Sequence, residues 1–255
     1  MPVVSRLTIA PVKGLAVHHP AEIAVEREGV PGNRQFLLLD RRGRLFSGIR
    51  HGRLVTVVPD YDPAGERLAL RFPDGTTVED DVRLGEAVEV DLWGRPVATH
   101  VVAGPFGEAL SGFIGKEVRV VRVVAEGGGW DERVVSLLSE ASLEELARRS
   151  GHEGPVDGRR FRMLVQLAGC EPHEEDTWIG RRLRLGGTVV SVVEACARCA
   201  TTTQNPETGE RDFDTLRAIP AYRGLADGKH VDFGVYADVE EPGRVRVGDP
   251  VDLLG

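Results

Sequence analysis

Residues 189–212 read VVSVVEACARCATTTQNPETGERD. A β-branched apolar run leads into Cys196 and Cys199, with Ala197 and Arg198 between them; threonines and the turn-forming NPETG follow. Valine-rich segments favour strands, and Asn-Pro with Gly marks a turn. The cysteines are therefore expected where a strand gives way to a loop. In extended backbone, residues three apart point to opposite faces. One cysteine should face the interior and the other a pocket.

Several chemistries compete for such a pair. Cys170 and His173 of CEPH have the same spacing, and with Cys196 and Cys199 they complete a tetrahedral structural zinc set on paper. Arg198 and the threonines replace the small residues that usually surround such sulfurs. A redox dithiol needs a helix N-terminus to lower a thiol pKa, and ATTTQNPETG is not a helix start. Buried thiols can also pack as small hydrophobes. A lone thiolate, its charge favoured by neighbouring Arg198, suits a soft metal or a metal delivered on a sulfur-rich cofactor.

Outward from this stretch the chain reads as mainly β, of α+β type. SRLTIAPV, AEIAVE, QFLLLD, RLVTVVP, ERLALRFP and AVEVDLW are short apolar or alternating runs separated by PGN, RRGR, PDGT and LWGRP. LLLDRRGRLFSG reads as a hairpin, and the spacing suggests a barrel or sandwich. Texture changes near residue 95, which divides the chain into 1–95, a β-barrel-like domain, and 96–255, a second β-barrel with a few helices. In the second part PFGEALSGFIG predicts a short helix, and AEGGGWDERV a flexible polar loop. SLEELARRSG predicts a longer helix, with Ser142 and Glu145 as a capping box and Gly151 as its end.

Composition bounds the function. The chain has 255 residues, a formal net charge of −8 and three cysteines. The acidic balance argues against nucleic-acid binding, and so few cysteines argue against a secreted disulfide framework. No apolar run approaches a membrane span, and MPVVSRLTIAPVKG lacks signal-peptide order. A cytoplasmic location without membrane attachment is expected. Basic charge is nearly all arginine, the three lysines being Lys13, Lys116 and Lys229. Arginine's planar fork suits an anionic ligand.

CARCATTTQNPETG, AYRG and the terminal VRVGDPVDLLG resemble the MOSC domain, as do RFRMLVQLAGCEPHEEDTWIG and LLSEASLEEL. PVKG, GNRQFLLLD and GRLVTV resemble the β-barrel domain that precedes MOSC in one subgroup, and the match is best to amidoxime-reducing proteins. The resemblance implies a molybdenum cofactor (Mo-molybdopterin) held between the domains, with Cys199 as the protein's ligand to molybdenum. It implies Lys13, Gly14, Arg34 and Arg162 as cofactor contacts, with Arg198, backbone groups of Ala197 and the side chain of Tyr236 joining them. Asp176 of EEDTW would orient a substrate or relay protons; otherwise it caps a loop beside Trp178. The expected reaction is two-electron reduction of a small N-hydroxylated substrate. With no iron–sulfur module in the sequence, electrons are expected from a separate donor protein. Other MOSC proteins suggest a sulfur carrier or a molybdenum-cofactor carrier as the alternative. A pyridoxal phosphate Schiff base would need one of the three lysines, none in a recognisable motif. Two departures stand out: Leu164 replaces an asparagine common after R-F-R-x, and His173 stands where many members have an aromatic.

Overall fold

The computed structural model describes residues 1–46 and 48–254. In chain order the strands are β1 (Val3–Leu7), β2 (Glu22–Val25), β3 (Phe36–Asp40), β4 (Val58–Asp62), β5 (Arg67–Arg71), β6 (Thr77–Asp81), β7 (Arg83–Leu92) and β8 (Arg95–Ala103). They continue as β9 (Val118–Val123), β10 (Val135–Ser139), β11 (Val165–Ala168), β12 (Arg182–Leu185), β13 (Thr188–Ala197), β14 (Asp232–Glu241), β15 (Gly243–Arg246) and β16 (Val251–Leu254). The helices are α1 (Phe106–Ile114), α2 (Glu140–Ser150) and α3 (Thr215–Arg223). The chain is mainly β, as its alternating runs require.

A seven-stranded sheet runs in the order β1-β11-β10-β14-β13-β12-β16. Its two edges return to one another. Val3 bridges Pro250, Val4 N donates to Asp249 O and Val251 N donates to Pro2 O, both at 2.9 Å. The sheet is thus nearly a closed barrel, which hides the strand edges that would otherwise pair with other chains. Val4, Leu137, Leu167, Val190 and Val235 fill its interior. A second cluster under α2 and α3 holds Leu146, Phe161, Cys196, Ile219 and Phe233.

The other half combines a four-stranded sheet, β3-β9-β8-β7, with the β4-β5-β6 meander, around Phe36, Leu54, Leu70 and Phe106. The texture change near residue 95 falls at the β7–β8 turn, and β8 and β9 continue this sheet. β1 joins the seven-stranded barrel instead, and β2 pairs with β15. The chain therefore crosses between the halves more than once. The hairpin in LLLDRRGRLFSG is present through Phe46, with Asp40 N donating to Arg44 O and Phe46 N to Leu38 O; Ser47 of that motif, like Gly255 at the end of VRVGDPVDLLG, lies outside the described residues.

The expected helices form, with one correction. The hydroxyl that caps α2 is Ser139, at the extended end of β10, which accepts from Ser142 N at 3.1 Å. Ser142 already lies inside the first turn, and Glu145 binds Arg148 and Arg149 rather than closing a capping box. Gly151, at φ 68, ends the helix as expected.

The AEGGGWDERV loop is tightly packed, which corrects its reading as flexible. A Cβ at Gly127 would lie 2.1 Å from Val30 O, and one at Gly129 would lie 2.2 Å from Arg34 O. The glycines are there because two backbones touch. Gly127→Ala, which also places a side chain at φ 65, is expected to lower the unfolding free energy by about 2 kcal/mol or more. Gly112→Ala, in helix α1 with open space around it, should raise it by about 0.5–1 kcal/mol. Urea titrations of the two variants check the contrast.

Candidate active site

Two loops of the first half are stitched together beneath a cavity. After β1, Ala10 N donates to Asn33 Oδ1 at 2.9 Å, Arg34 N donates to Ala10 O at 2.7 Å, and Lys13 N donates to Phe36 O at 2.8 Å. The short polar side chain of Asn33 in PGNRQF makes this fold-back possible, and Gly32 supplies the positive φ of 79° before it. Lys13 and Arg34 are thereby brought side by side.

The opposite wall comes from the cysteine stretch. The β13–β14 register shifts between Val192 and Glu194 and again between Ala195 and Ala197. Such bulges re-aim side chains at strand ends. Cys196 turns inward and is fully buried, whereas Cys199 is exposed at the cavity. The expected division of the pair is therefore observed. Past β13, threonine hydroxyls satisfy the turn that carries Cys199: Thr202 Oγ1 donates to Cys199 O at 3.0 Å and Thr203 Oγ1 to Ala200 O at 2.8 Å.

Arg198 lies close enough to Cys199 for their charges to interact, but its hydrogen bonds go elsewhere. Its guanidinium lies 2.6 Å from Cys196 Sγ and 3.2 Å from Met163 Sδ, and donates to Phe161 O at 2.5 Å. The bulge swings it to the inner sulfur, so it anchors the strand end. The Cys199 thiol meets Thr201 Oγ1 at 3.4 Å instead.

The cavity between the halves measures about 640 Å³. Lys13, Gly14, Arg34, Arg162, Ala197, Arg198, Cys199 and Tyr236 all line it. Leu164, which stands where the family often has asparagine, adds apolar wall. Asp176 is not among the lining residues; its Oδ2 pairs with Arg223 at 2.6 Å, and Trp178 beside it packs into the barrel core. The structure thus does not bring Asp176 to the cavity with the other site candidates; it ties α3 to a short 3-10 turn.

Sequence reasoning missed the residue that organises the cavity. Asp131 Oδ1 lies 2.6 Å from Lys13 Nζ and accepts from Trp93 Nε1 at 2.9 Å, while Oδ2 pairs with Arg34 Nη1. Burial opposes ionisation of Asp131, yet the Arg34 and Lys13 charges outweigh it and hold the carboxyl far below the usual range. Burial brings the Lys13 amine down to about 8, against the pull of Asp131, and the Arg162 guanidinium down to about 10. Arg95 stacks 3.7 Å over the Trp130 ring and donates to Trp130 O at 2.8 Å, which holds the Asp131 loop in place. The detectable signal was the triple glycine before Trp130-Asp131, which marks close backbone approach.

The zinc set is dispersed. Cys170 packs against the barrel core, Cys196 lies in the second cluster, and His173 bonds Tyr222 OH at 3.2 Å. Among the described residues no three His, Cys, Asp or Glu side chains group to hold a metal. This removes the structural zinc reading.

Residues 125–252 match the MOSC domain and residues 1–116 the MOSC N-terminal beta barrel domain. The chain belongs to the MOSC family, with the N-terminal β-barrel module. It is similar to mitochondrial amidoxime-reducing component 1 of Mus musculus, 41% identical over 127 residues, which are 47% of this chain and 36% of that one. It is 38% identical over 123 residues to mitochondrial amidoxime reducing component 2 of Homo sapiens, covering 45% and 35% of the two chains. A Danio rerio component 1 is 28% identical across 98% of this chain and 84% of its own. The matches to the mouse and human relatives thus span about a third of those proteins' length. The YUAD protein of Bacillus subtilis superposes with a TM-score of 0.48 at 14% identity, over 98% of this chain and 94% of that one. No helix among the described residues is long and apolar enough to cross a membrane.

Two outcomes follow. Iodoacetamide at pH 7.5 should alkylate Cys199 first, because Cys196 is buried and burial raises the Cys170 thiol to about 12; peptide mass spectrometry reads the order, and early modification of Cys170 would contradict it. Asp131→Asn removes the charge that keeps Lys13 protonated, so the Lys13 pKa should fall further below 8. More neutral amine should then make Lys13 acylate faster at pH 7.5, as measured by site-resolved labelling rates.

Proposed function

We propose that the chain is a molybdenum-cofactor oxidoreductase that reduces small N-hydroxylated substrates by two electrons taken from a separate donor protein. The observation that carries this reading is one exposed thiol, Cys199, opening into a cavity that Lys13, Arg34 and Arg162 also line. One soft ligand is sufficient where the cofactor brings further sulfurs. The relatives named for amidoxime reduction support the substrate class.

The residues fit such a group. The Arg162 guanidinium forms no ion pair among the described residues and donates to Leu15 O, which leaves N–H donors to meet a phosphate. Lys13 and Arg34 share one carboxylate, leaving a surplus positive charge for an anionic ligand. Lys13, Gly14, Arg34 and Arg162 would hold the pterin end, with Ala197 backbone groups and Tyr236 along its edge. Cys199 would bind the metal. When bound, a molybdenum–pterin cofactor supplies two-electron oxygen-atom chemistry.

The chain's own residues supply placement and proton control. Arg198 anchors the end of β13 and so fixes where Cys199 projects. Lys13 Nζ, with its pKa near 8, can hold or release a proton at working pH while Asp131 keeps it oriented. Leu164 and Trp130 give the cavity part of its apolar wall. A carrier of cofactor or of activated sulfur would use the same exposed thiol, and turnover separates the two readings.

Protein made in a cofactor-producing host should contain molybdenum and pterin near one per chain and reduce a benzamidoxime with an artificial donor. Cys199→Ser should lose molybdenum and lower turnover at least about 100-fold, whereas Cys196→Ser should be milder because that sulfur faces the core. Bound cofactor without turnover would favour the carrier; equal losses in both variants would contradict a lone thiolate.

A further inference from the structure

The strand end that carries Cys199 runs beside a neighbour. Ala197 of β13 pairs with Asp232 of β14 in antiparallel register. Beyond that pair, Arg198 N still donates to Val231 O at 2.7 Å. Cys199 keeps extended backbone, at φ −118 and ψ 175. Carried one step further, the same register sets Cys199 opposite His230. Side chains of extended segments alternate between faces, and these two segments obey the rule. Ala197, Cys199, His230 and Asp232 line the cavity, whereas Cys196 and Val231 pack into the cluster under α2 and α3.

The backbone at His230 is held from its other side. Its N–H donates to Ala226 O and its C=O accepts from Ala226 N, both at 2.8 Å, across a turn in which Asp227 and Gly228 take positive φ. Those bonds face away from β13. Cys199 and His230 therefore fall at a position where facing residues exchange no backbone hydrogen bond. Such residues bring their side chains closest, with Cα atoms about 4.5 Å apart. Both residues are exposed, and the His230 ring makes no hydrogen bond, ion pair or ring contact among the described residues.

We infer that His230 is a substrate-binding residue, which receives the N-hydroxyl end of the substrate beside Cys199. The inference rests on the oxidoreductase reading and deepens it, because that reading puts the reacting group next to Cys199. Whatever is held at that sulfur has His230 as its cross-strand neighbour. An imidazole carries one N–H donor and one bare nitrogen acceptor. The two match an N-hydroxyl group, whose oxygen accepts and whose hydrogen is donated. The ring is fixed by its backbone and lies at the solvent side of the cavity, so it meets the substrate as it enters. Its part is to hold the hydroxyl in place; it is not one of the cofactor contacts.

The test reads placement and binding separately. For placement, the full-length protein without cofactor carries His230→Cys and is oxidised with glutathione disulfide. Position 230 should become linked to Cys199, as read by mass spectrometry of unreduced peptides, because a separation of about 4.5 Å is within a disulfide's reach. Val231→Cys, one residue along and on the opposite face, should link to Cys199 at least about tenfold more slowly. For binding, protein from a cofactor-producing host is assayed with benzamidoxime. His230→Ala should keep the parent's molybdenum content and raise KM about tenfold, the value of one hydrogen bond. His230→Gln, whose amide also donates and accepts, should recover most of that loss. No preferential linkage of position 230 to Cys199, an unchanged KM in His230→Ala, or loss of molybdenum from that variant would overturn the inference and leave the oxidoreductase reading standing. A parent protein without molybdenum or turnover would instead overturn that reading, and this inference with it.

Discussion

A half-buried carboxylate shared by two cations is the interaction on which the site depends. Asp131 sits just before β10 of the seven-stranded barrel, while Lys13 and Arg34 rise from loops that carry the chain between its halves. Each partner is costly to desolvate alone; together they hold their charges, and Trp93 supplies a further donor. The clamp holds Lys13 and Arg34 side by side on one wall of the cavity. It also leaves this wall of the cavity with a surplus of positive charge, because two cations meet one acid and Arg162 has no ion-pair partner among the described residues.

Backbone strain gathers at the same place. Among the described residues, non-glycine positive φ occurs at Arg34, Glu66, Trp93, Arg162, His173 and Asp227. Arg34, Trp93, Arg162 and Asp227 line the cavity. Such conformations cost about 1–3 kcal/mol each and persist where the surroundings hold them. Here they aim two guanidinium groups and an indole at one space. The bulges in β13 do the corresponding work on the other wall, sending Cys196 inward and letting Cys199 out. Both devices trade local stability for the direction of a side chain.

The cysteine division was legible because strand period and turn chemistry act locally, and VVSVVEAC followed by NPETG carries both signals. Lys13, Arg34 and Arg162 were legible through their motifs, and the cavity gathers all three. Asp131 was not, because its partners are distant in sequence, Arg34 lying 97 positions away. A glycine run before a polar pair reads as loose chain unless one knows that another backbone presses on it. The hydrogen-bond partners of Asp176 and Arg198 were hidden for a related reason. One was placed by a motif and the other by the cysteine beside it, and each bonds a group that the sequence does not bring near, Arg223 in one case and Cys196 in the other. The capping serine of α2 slipped by three positions because two serines of LLSEASLEEL fit the start of a helix, and only the end of β10 decides between them.

The account centres on Cys199 as the lone protein sulfur on a metal seated in a positively lined cavity. Anomalous diffraction at the molybdenum edge, from crystals of protein purified out of a cofactor-producing host, addresses this directly. The account predicts one strong peak per chain, inside the cavity and within bonding distance of Cys199 Sγ. A peak elsewhere, or a cavity filled by a ligand that carries no metal and leaves Cys199 uncoordinated, would contradict it.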